Sequence, residues 1–214
     1  MILVVGGVKG GCGKTTIATN LTVLRSSQKK KVLLVDADEQ NTASDWAATR
    51  VSLGIPTEWT TIRLSGKSID FQIEKLRHDF DDIIIDVGGR DTTSQRSALL
   101  IADVLLLPFK PRSFDVWTLG KVKSIISEIK TINKKLICLA VINEADPKGS
   151  DNDEAKEILA ESDEIKCLPI SIGRRKSFGN AGSDGLGVSE LKTQDKKAIQ
   201  EIQSLLDFIY TTHI

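Results

Sequence analysis

Seven of the eight residues in Lys9-Gly10-Gly11-Cys12-Gly13-Lys14-Thr15-Thr16 are glycine, lysine or threonine, in an order suited to cradling a phosphate chain. They follow the apolar run Ile2-Leu3-Val4-Val5, which reads as a short strand, and precede a helical pattern over Ile17 to Leu24. In such a strand–turn–helix, successive backbone N–H groups turn toward one anion and the helix N-terminus adds partial positive charge. Lys14 would reach the β- and γ-phosphates, the Thr15 hydroxyl would ligate Mg²⁺, and Gly10, Gly11, Cys12, Gly13 and Thr16 would complete the cradle. Val8 stands where the ordinary motif has glycine, and a second lysine, Lys9, enters the loop. Two cations held this close disfavour each other unless an anion neutralises them. Either both serve one nucleotide, or Lys9 points outward to the phosphates of a second subunit.

Carboxylates for a magnesium ion stand at two strand ends. Lys31-Val32-Leu33-Leu34-Val35 reads as a buried parallel strand and closes in Asp36-Ala37-Asp38-Glu39-Gln40. Asp82-Ile83-Ile84-Ile85-Asp86 closes the same way and is followed by Val87-Gly88-Gly89. Acids at the carboxyl ends of parallel strands face the crevice in which α/β folds bind ligands. An apolar run ending in Asp and then small residues is the Walker-B arrangement, whose acid holds Mg²⁺. A lone Asp after a strand also serves as a turn former or helix cap. Together with the phosphate loop, the two strand ends make a three-part site.

The pattern Lys-Gly-Gly-x-Gly-Lys-Thr-Thr resembles the deviant Walker-A ATPases, the ParA/MinD family, and most of all its short ParA-type partition members. The resemblance implies ATP and Mg²⁺ as ligands, and hydrolysis to ADP and phosphate. It implies that Lys9 reaches across a nucleotide-sandwich homodimer to the partner's phosphates. By the same resemblance Asp36 holds a Mg²⁺-bound water, Asp38 positions the attacking water, and Asp86 is the Walker-B acid. Lys9, Lys14 and Asp38 would then carry catalysis. Where many members continue with Thr-Pro-Pro, this chain has Val87-Gly88-Gly89-Arg90-Asp91. Pro108-Phe109-Lys110-Pro111-Arg112-Ser113, after the strand Asp103–Leu107, looks like the proline-containing loop that packs at the dimer interface near the adenine. Two prolines after a strand make a rigid turn in either case. Asn143, at the end of the strand Leu136–Asn143, matches a family Asn that hydrogen-bonds adenine; a capping role is the alternative.

Strand and helix patterns alternate along the whole length. Beyond the segments above, helices are expected over Thr42–Arg50, Ser68–His78, Thr92–Ala102, Phe114–Ile129 and Asp153–Ala160. Short strands are expected near Trp59–Leu64 and Lys166–Ile170. A loop over Ser171–Gly187 and a last helix from Val188 to about Tyr210 complete the chain. This alternation predicts an α/β fold, a mostly parallel twisted sheet with helices on both faces, as one domain over residues 1–214. The 40% hydrophobic and 27% charged residues are those of a globular protein. No apolar run reaches the length that spans a bilayer, and the chain enters its first strand with no signal-peptide pattern. Three widely spaced cysteines, Cys12, Cys138 and Cys167, with no Cys-x-x-Cys, read as free thiols in a reducing cytoplasm. This argues against the cluster-binding relatives of the same superfamily.

Charge is balanced, 29 basic against 29 acidic residues, so the molecule as a whole does not attract DNA. Arg174-Arg175-Lys176 is the tightest basic cluster, with Lys192, Lys196 and Lys197 following. A solvated surface loop and a DNA-phosphate contact both fit it; the resemblance to DNA-binding ParA proteins favours the contact. Lys29-Lys30-Lys31 ends a helix, where cations complement the dipole. Ala198, Ile199, Ile202, Leu205, Leu206 and Ile209 share one face of the last helix. That face lacks the flanking cations of a membrane-targeting helix and reads as docked on the sheet. The resulting expectation is a cytoplasmic, nucleoid-associated partition ATPase that forms a homodimer on ATP and binds non-specific DNA. A ParB-type centromere-binding adaptor would stimulate its hydrolysis, and no membrane is involved. The rivals are a MinD-like membrane-associated positioning ATPase, a small-molecule ATP-dependent ligase sharing the loop, and an ATP-switched binder of another large cargo.

Overall fold

The unbroken apolar runs form the middle of a seven-stranded parallel sheet ordered β3-β2-β4-β1-β5-β6-β7. The computed structural model describes residues 1–111, 116–148 and 150–211. The strands are β1 (Ile2–Val5), β2 (Val32–Ala37), β3 (Thr60–Arg63), β4 (Asp82–Val87), β5 (Val104–Phe109), β6 (Ile137–Ala145) and β7 (Lys166–Gly173). The helices between them are α1 (Lys14–Ser27), α2 (Thr42–Ser52), α3 (Ile69–Leu76), α4 (Thr93–Ile101), α5 (Val116–Lys130) and α6 (Asp151–Ala160). Two more, α7 (Lys176–Ser183) and α8 (Lys196–Thr211), follow β7.

Period-two geometry sends alternate residues of each central strand to opposite faces, and both faces are covered. On one face Ile2, Val4, Ile83 and Ile85 pack with Ile69, Leu99 and Ile126 of α3, α4 and α5. On the other, Leu3, Val5, Leu34 and Ile84 pack with Leu21 of α1, Trp46 of α2 and Leu205 of α8. Strands with apolar neighbours on both faces tolerate no polar alternation, which is why β1 is wholly apolar and β2 and β4 carry acids only at or next to their ends. The expected apolar face of the last helix lies against this second core: Ala198, Ile202, Leu205, Leu206 and Ile209 are buried and Ile199 is partly so. No helix among the described residues is long and apolar enough to cross a membrane.

β2, β3 and β4 lie on one side of β1, with β4 returning to the place beside it, and β5, β6 and β7 build outward on the other. β1 is therefore where the strand order reverses, and ligands of open α/β sheets bind at the carboxyl ends beside that reversal. The loops after β1, β2 and β4 carry the phosphate motif, Asp38 and Gly88–Arg90 to this edge, and the end of β6 carries Glu144 there.

Three segment boundaries depart from the sequence reading. Residues 171–187 are not a loop: β7 continues to Gly173, and α7 occupies Lys176–Ser183. Gly179 and Gly182 lower the helix propensity of α7, but burial of Phe178 and Ala181 outweighs it. The last helix does not start at Val188. A single 3₁₀ turn spans Val188–Glu190, and α8 begins at Lys196, where the Asp195 side chain accepts the N–H of Ala198 at 3.1 Å. Pro108 and Phe109 belong to β5 rather than to the turn after it. Leu106 accepts the Gly6 N–H at 3.0 Å on the β1 side, and Pro108 faces that same side after β1 has left the sheet. Its missing N–H therefore costs no ladder bond. Arg112, Ser113 and Phe114, expected in the proline-containing loop and the start of the next helix, lie outside the described residues.

One tie between distant segments gave no sequence signal. Arg50 of α2 is buried and donates twice to Glu190, at 2.7 Å each, as well as to the carbonyls of Pro56 and Gly185. This clamp fixes the segment between α7 and α8 against α2.

Candidate functional site

Gly13 is the residue on which the phosphate loop turns. Its φ is +86°, a conformation that L side chains rarely adopt, and a Cβ there would stand 2.1 Å from Asn143 Nδ2. Asn143 donates to the Cys12 carbonyl at 2.7 Å, so the end of β6 braces the loop from below. Immediately after Gly13, α1 opens with no acidic residue in its first turn, leaving its N-terminal N–H groups for an anion.

The two lysines separate. Lys14 is 6% exposed; its ammonium donates to the Lys9 carbonyl at 2.9 Å and lies 3.8 Å from Cys12 Sγ. The Lys9 side chain is exposed. A cavity of about 720 Å³ opens over the loop, within the size range of small-molecule sites. Lys14, Thr15, Thr16, Asp38, Gly88 and Arg90 are among the residues that line it.

The three acids take different positions. Asp86, at the end of β4, is fully buried and accepts the Thr15 hydroxyl at 2.6 Å through Oδ2, while its Oδ1 has no hydrogen-bond partner. Burial pushes its carboxyl up to about 7; the Thr15 hydrogen bond opposes this, and the neighbouring Asp36 adds to it. A buried carboxylate oxygen without a partner, beside a hydroxyl that faces the phosphate cradle, is a hard-oxygen donor set suited to Mg²⁺. That ion is commonly held by one or two carboxylates and the phosphates themselves. Asp36 is also buried, but its oxygens accept the N–H groups of Asp38 at 3.2 Å and Ser44 at 2.7 Å, so it ties the loop after β2 to the start of α2. It does not line the cavity. Asp38 does, and accepts the Gln40 N–H at 3.1 Å.

Sequence reasoning left the loop after β4 without roles, and the structure brings it onto the phosphate loop. A Cβ on Gly89 would meet Gly10 N at 2.5 Å, so only glycine allows the two backbones to touch. Asp91 is then gripped by Arg96 of α4, at 2.7 and 2.9 Å, and Arg96 also donates to Glu128 of α5 at 2.6 Å. The Gly-Gly pair after the apolar strand was the available signal.

A second cavity, of about 290 Å³, adjoins the first through Gly13, Thr16 and Glu144. Asn143, Arg174 and Phe178 also line it. Of the basic triad, Arg174 and Lys176 are exposed, whereas Arg175 donates through Nε to Glu201 of α8 at 3.0 Å in a two-point ion pair. The triad is thus not a uniform cationic patch: Glu201 answers the central charge.

Comparison with known proteins agrees with this geometry. Residues 3–188 match the profile of the CobQ/CobB/MinD/ParA nucleotide binding domain. A maintenance of carboxysome distribution protein A from Halothiobacillus neapolitanus is 28% identical over 209 residues, covering 96% of this chain and 94% of that one. A solved structure described as a plasmid partition protein of Borrelia burgdorferi B31, bound to AMPPNP, superposes with a TM-score of 0.77 at 19% identity, covering 99% of both chains. Cobyrinic acid a,c-diamide synthase from Mycobacterium smegmatis, with an ATP analogue and magnesium, also superposes with a TM-score of 0.77, at 19% identity, covering 99% of this chain and 96% of that one. Identities this low show the shared fold alone, and the fold serves both partition proteins and a synthase. With its phosphate loop, strand order and acid positions in place, the chain belongs to the CobQ/CobB/MinD/ParA nucleotide-binding family.

Proposed function

We propose that the protein is a Mg²⁺-dependent ATPase of the ParA partition and positioning kind, in which ATP joins two copies face to face. The observation that carries this reading is the division of labour between the lysines. Lys14 is buried and lines the cavity, whereas Lys9 is exposed and does not line it, so a second copy could present its phosphates there. A loop serving one nucleotide with both cations would turn both side chains inward.

In this reading the triphosphate lies on the N–H groups of residues 10–16, with Lys14 beside the β- and γ-phosphates. Thr15 and Asp86 hold Mg²⁺, which supplies charge neutralisation at the β- and γ-phosphate oxygens. Asp38, on the cavity wall, orients the attacking water, and Lys9 of the other copy offsets charge that develops on the transferred phosphoryl group. Asn143 lies between the loop and the smaller cavity, where the adenine would sit. Asp36 acts at one remove, by holding the backbone of Asp38.

The ATP dimer would then bind DNA without sequence preference through Arg174 and Lys176, with a ParB-type adaptor stimulating hydrolysis and release. A second reading has specific support: the relative named for carboxysome distribution matches this chain almost end to end, so the cargo could be a large protein body carried by the same switch. The apolar face of α8 is buried in the core, which leaves it unavailable as a membrane anchor. Changing Lys9→Ala tests the central step. ATP should still bind by calorimetry, while turnover and ATP-dependent dimerisation are lost. Equal loss of binding and turnover would mean that Lys9 serves its own nucleotide only. Rapid turnover of a small-molecule co-substrate by the monomer would favour the synthase-like alternative.

A further inference from the structure

Arg90 has no role in the reading above, yet the structure brackets it on both sides. Before it, Gly89 lies backbone-to-backbone on Gly10 of the phosphate loop, where an added Cβ would come within 2.5 Å of Gly10 N and 2.6 Å of its Cα. After it, Asp91 receives two hydrogen bonds from Arg96, at 2.7 and 2.9 Å, and Arg96 is itself held by Glu128 at 2.6 Å. That hydrogen bonding holds the Asp91 carboxyl below its ordinary range, so the bracket stays ionised. Between these two fixed points Arg90 is exposed and lines the same cavity as Lys14, Thr15 and Thr16. It makes no hydrogen bond or ion pair among the described residues. The acids nearest in sequence cannot compensate it, because Asp91 is committed to Arg96 and the buried Asp86 to Thr15. A planar guanidinium with no protein partner, held at the mouth of a phosphate cradle, is built for bidentate contact with phosphate oxygens.

We propose that Arg90 binds the terminal phosphate of the nucleotide in its own subunit, and that Asp91 and Arg96 are positioning residues that hold it there. This rests on the nucleotide reading and deepens it. Since Gly89 and Arg90 share one loop with the Asp86 strand end, contact with a terminal phosphate fixes the whole loop, and a diphosphate leaves Arg90 without its ligand. The loop after β4 thereby distinguishes triphosphate from diphosphate.

The test is calorimetric titration of the full chain with AMPPNP and with ADP, each with Mg²⁺. In the parent protein AMPPNP should bind more tightly than ADP. Arg90→Ala should lose about tenfold or more in AMPPNP affinity, as expected for removing a charge-assisted contact, with ADP affinity nearly unchanged. Arg90→Lys should recover part of the loss. Asp91→Asn should lose triphosphate affinity by a smaller factor without affecting ADP, a selectivity that a merely structural defect would not show. If Arg90→Ala keeps the parent's AMPPNP-to-ADP ratio, the inference fails while the nucleotide reading stands. If the parent binds neither nucleotide, both fail. Mixing Arg90→Ala with Lys14→Ala protein, which carries a native Arg90, should not restore AMPPNP affinity. Restoration would show that Arg90 acts across the dimer and would overturn its assignment to its own subunit.

Discussion

Replacing Asp86 by Asn should remove a pH-dependent loss of stability from the ligand-free protein, together with the acid proposed to hold Mg²⁺. Asp86 is fully buried, and burial pushes its carboxyl up to about 7 from an ordinary 3.8. The sign follows from proton linkage. Below about pH 4 the carboxyl is protonated in both folded and unfolded chains and its burial brings no ionisation penalty. Between 3.8 and about 7 the unfolded chain ionises while the folded chain keeps its proton. Stability therefore falls by about 1.4 kcal/mol for each pH unit of that window, to a ceiling of about 4 kcal/mol. An Asn at this position accepts the Thr15 hydrogen bond but carries an amide N–H₂ where Oδ1 has no partner, a cost of about 1–3 kcal/mol that does not depend on pH. The informative quantity is thus the pH dependence of the difference between variant and parent, from which other titrating groups cancel. Urea denaturation of both proteins without nucleotide or Mg²⁺, from about pH 5 to about pH 8, should show the difference shifting by about 2–3 kcal/mol in favour of the variant. A difference that stays constant across the series would refute the burial argument.

The remaining predictions concern neighbouring parts of the site and its support. Lys14→Ala should lower ATP affinity by about tenfold or more in calorimetry, since it removes the buried cation of the phosphate loop; unchanged affinity would move the site elsewhere. Gly89→Ala should cost about 1–3 kcal/mol in denaturation and weaken ATP binding as well, because the methyl group meets backbone that cannot rotate away. Arg50→Ala should destabilise the fold by about 3–5 kcal/mol by leaving Glu190 and two carbonyls without their donor, measured in the same way. Replacing Arg174 and Lys176 together should flatten the salt dependence of duplex binding by up to about two units of slope. Arg175→Ala should change DNA affinity little, because Glu201 already answers its charge.

The sequence made the sheet legible because strands buried on both faces carry unbroken apolar runs, and β2 and β4 each deliver an acid at the carboxyl end of that run. It made the phosphate loop legible because glycine and lysine at fixed offsets have few other uses. α7 was hidden because glycine content is a local signal, whereas the burial of Phe178 and Ala181 that sustains the helix is a tertiary one. Residue type and spacing alone do not show which of Asp36 and Asp38 faces the cavity. Only the backbone path separates them, directing one inward to cap the loop and the other onto the cavity wall. The pairing of Arg175 was not legible for a related reason: its partner, Glu201, lies on another element 26 positions away.

The central claim is that bound ATP joins two copies of the chain, and the mass of the Asp38→Ala protein by light scattering tests it most directly. This variant should keep the phosphate loop, Thr15 and Asp86 while losing the water-orienting carboxylate, so its ATP state should persist through the measurement. With Mg²⁺ and ATP the account predicts twice the monomer mass; with ADP, or with Lys9→Ala added, it predicts the monomer. A protein that calorimetry shows to be saturated with ATP and that still scatters as a monomer would contradict it.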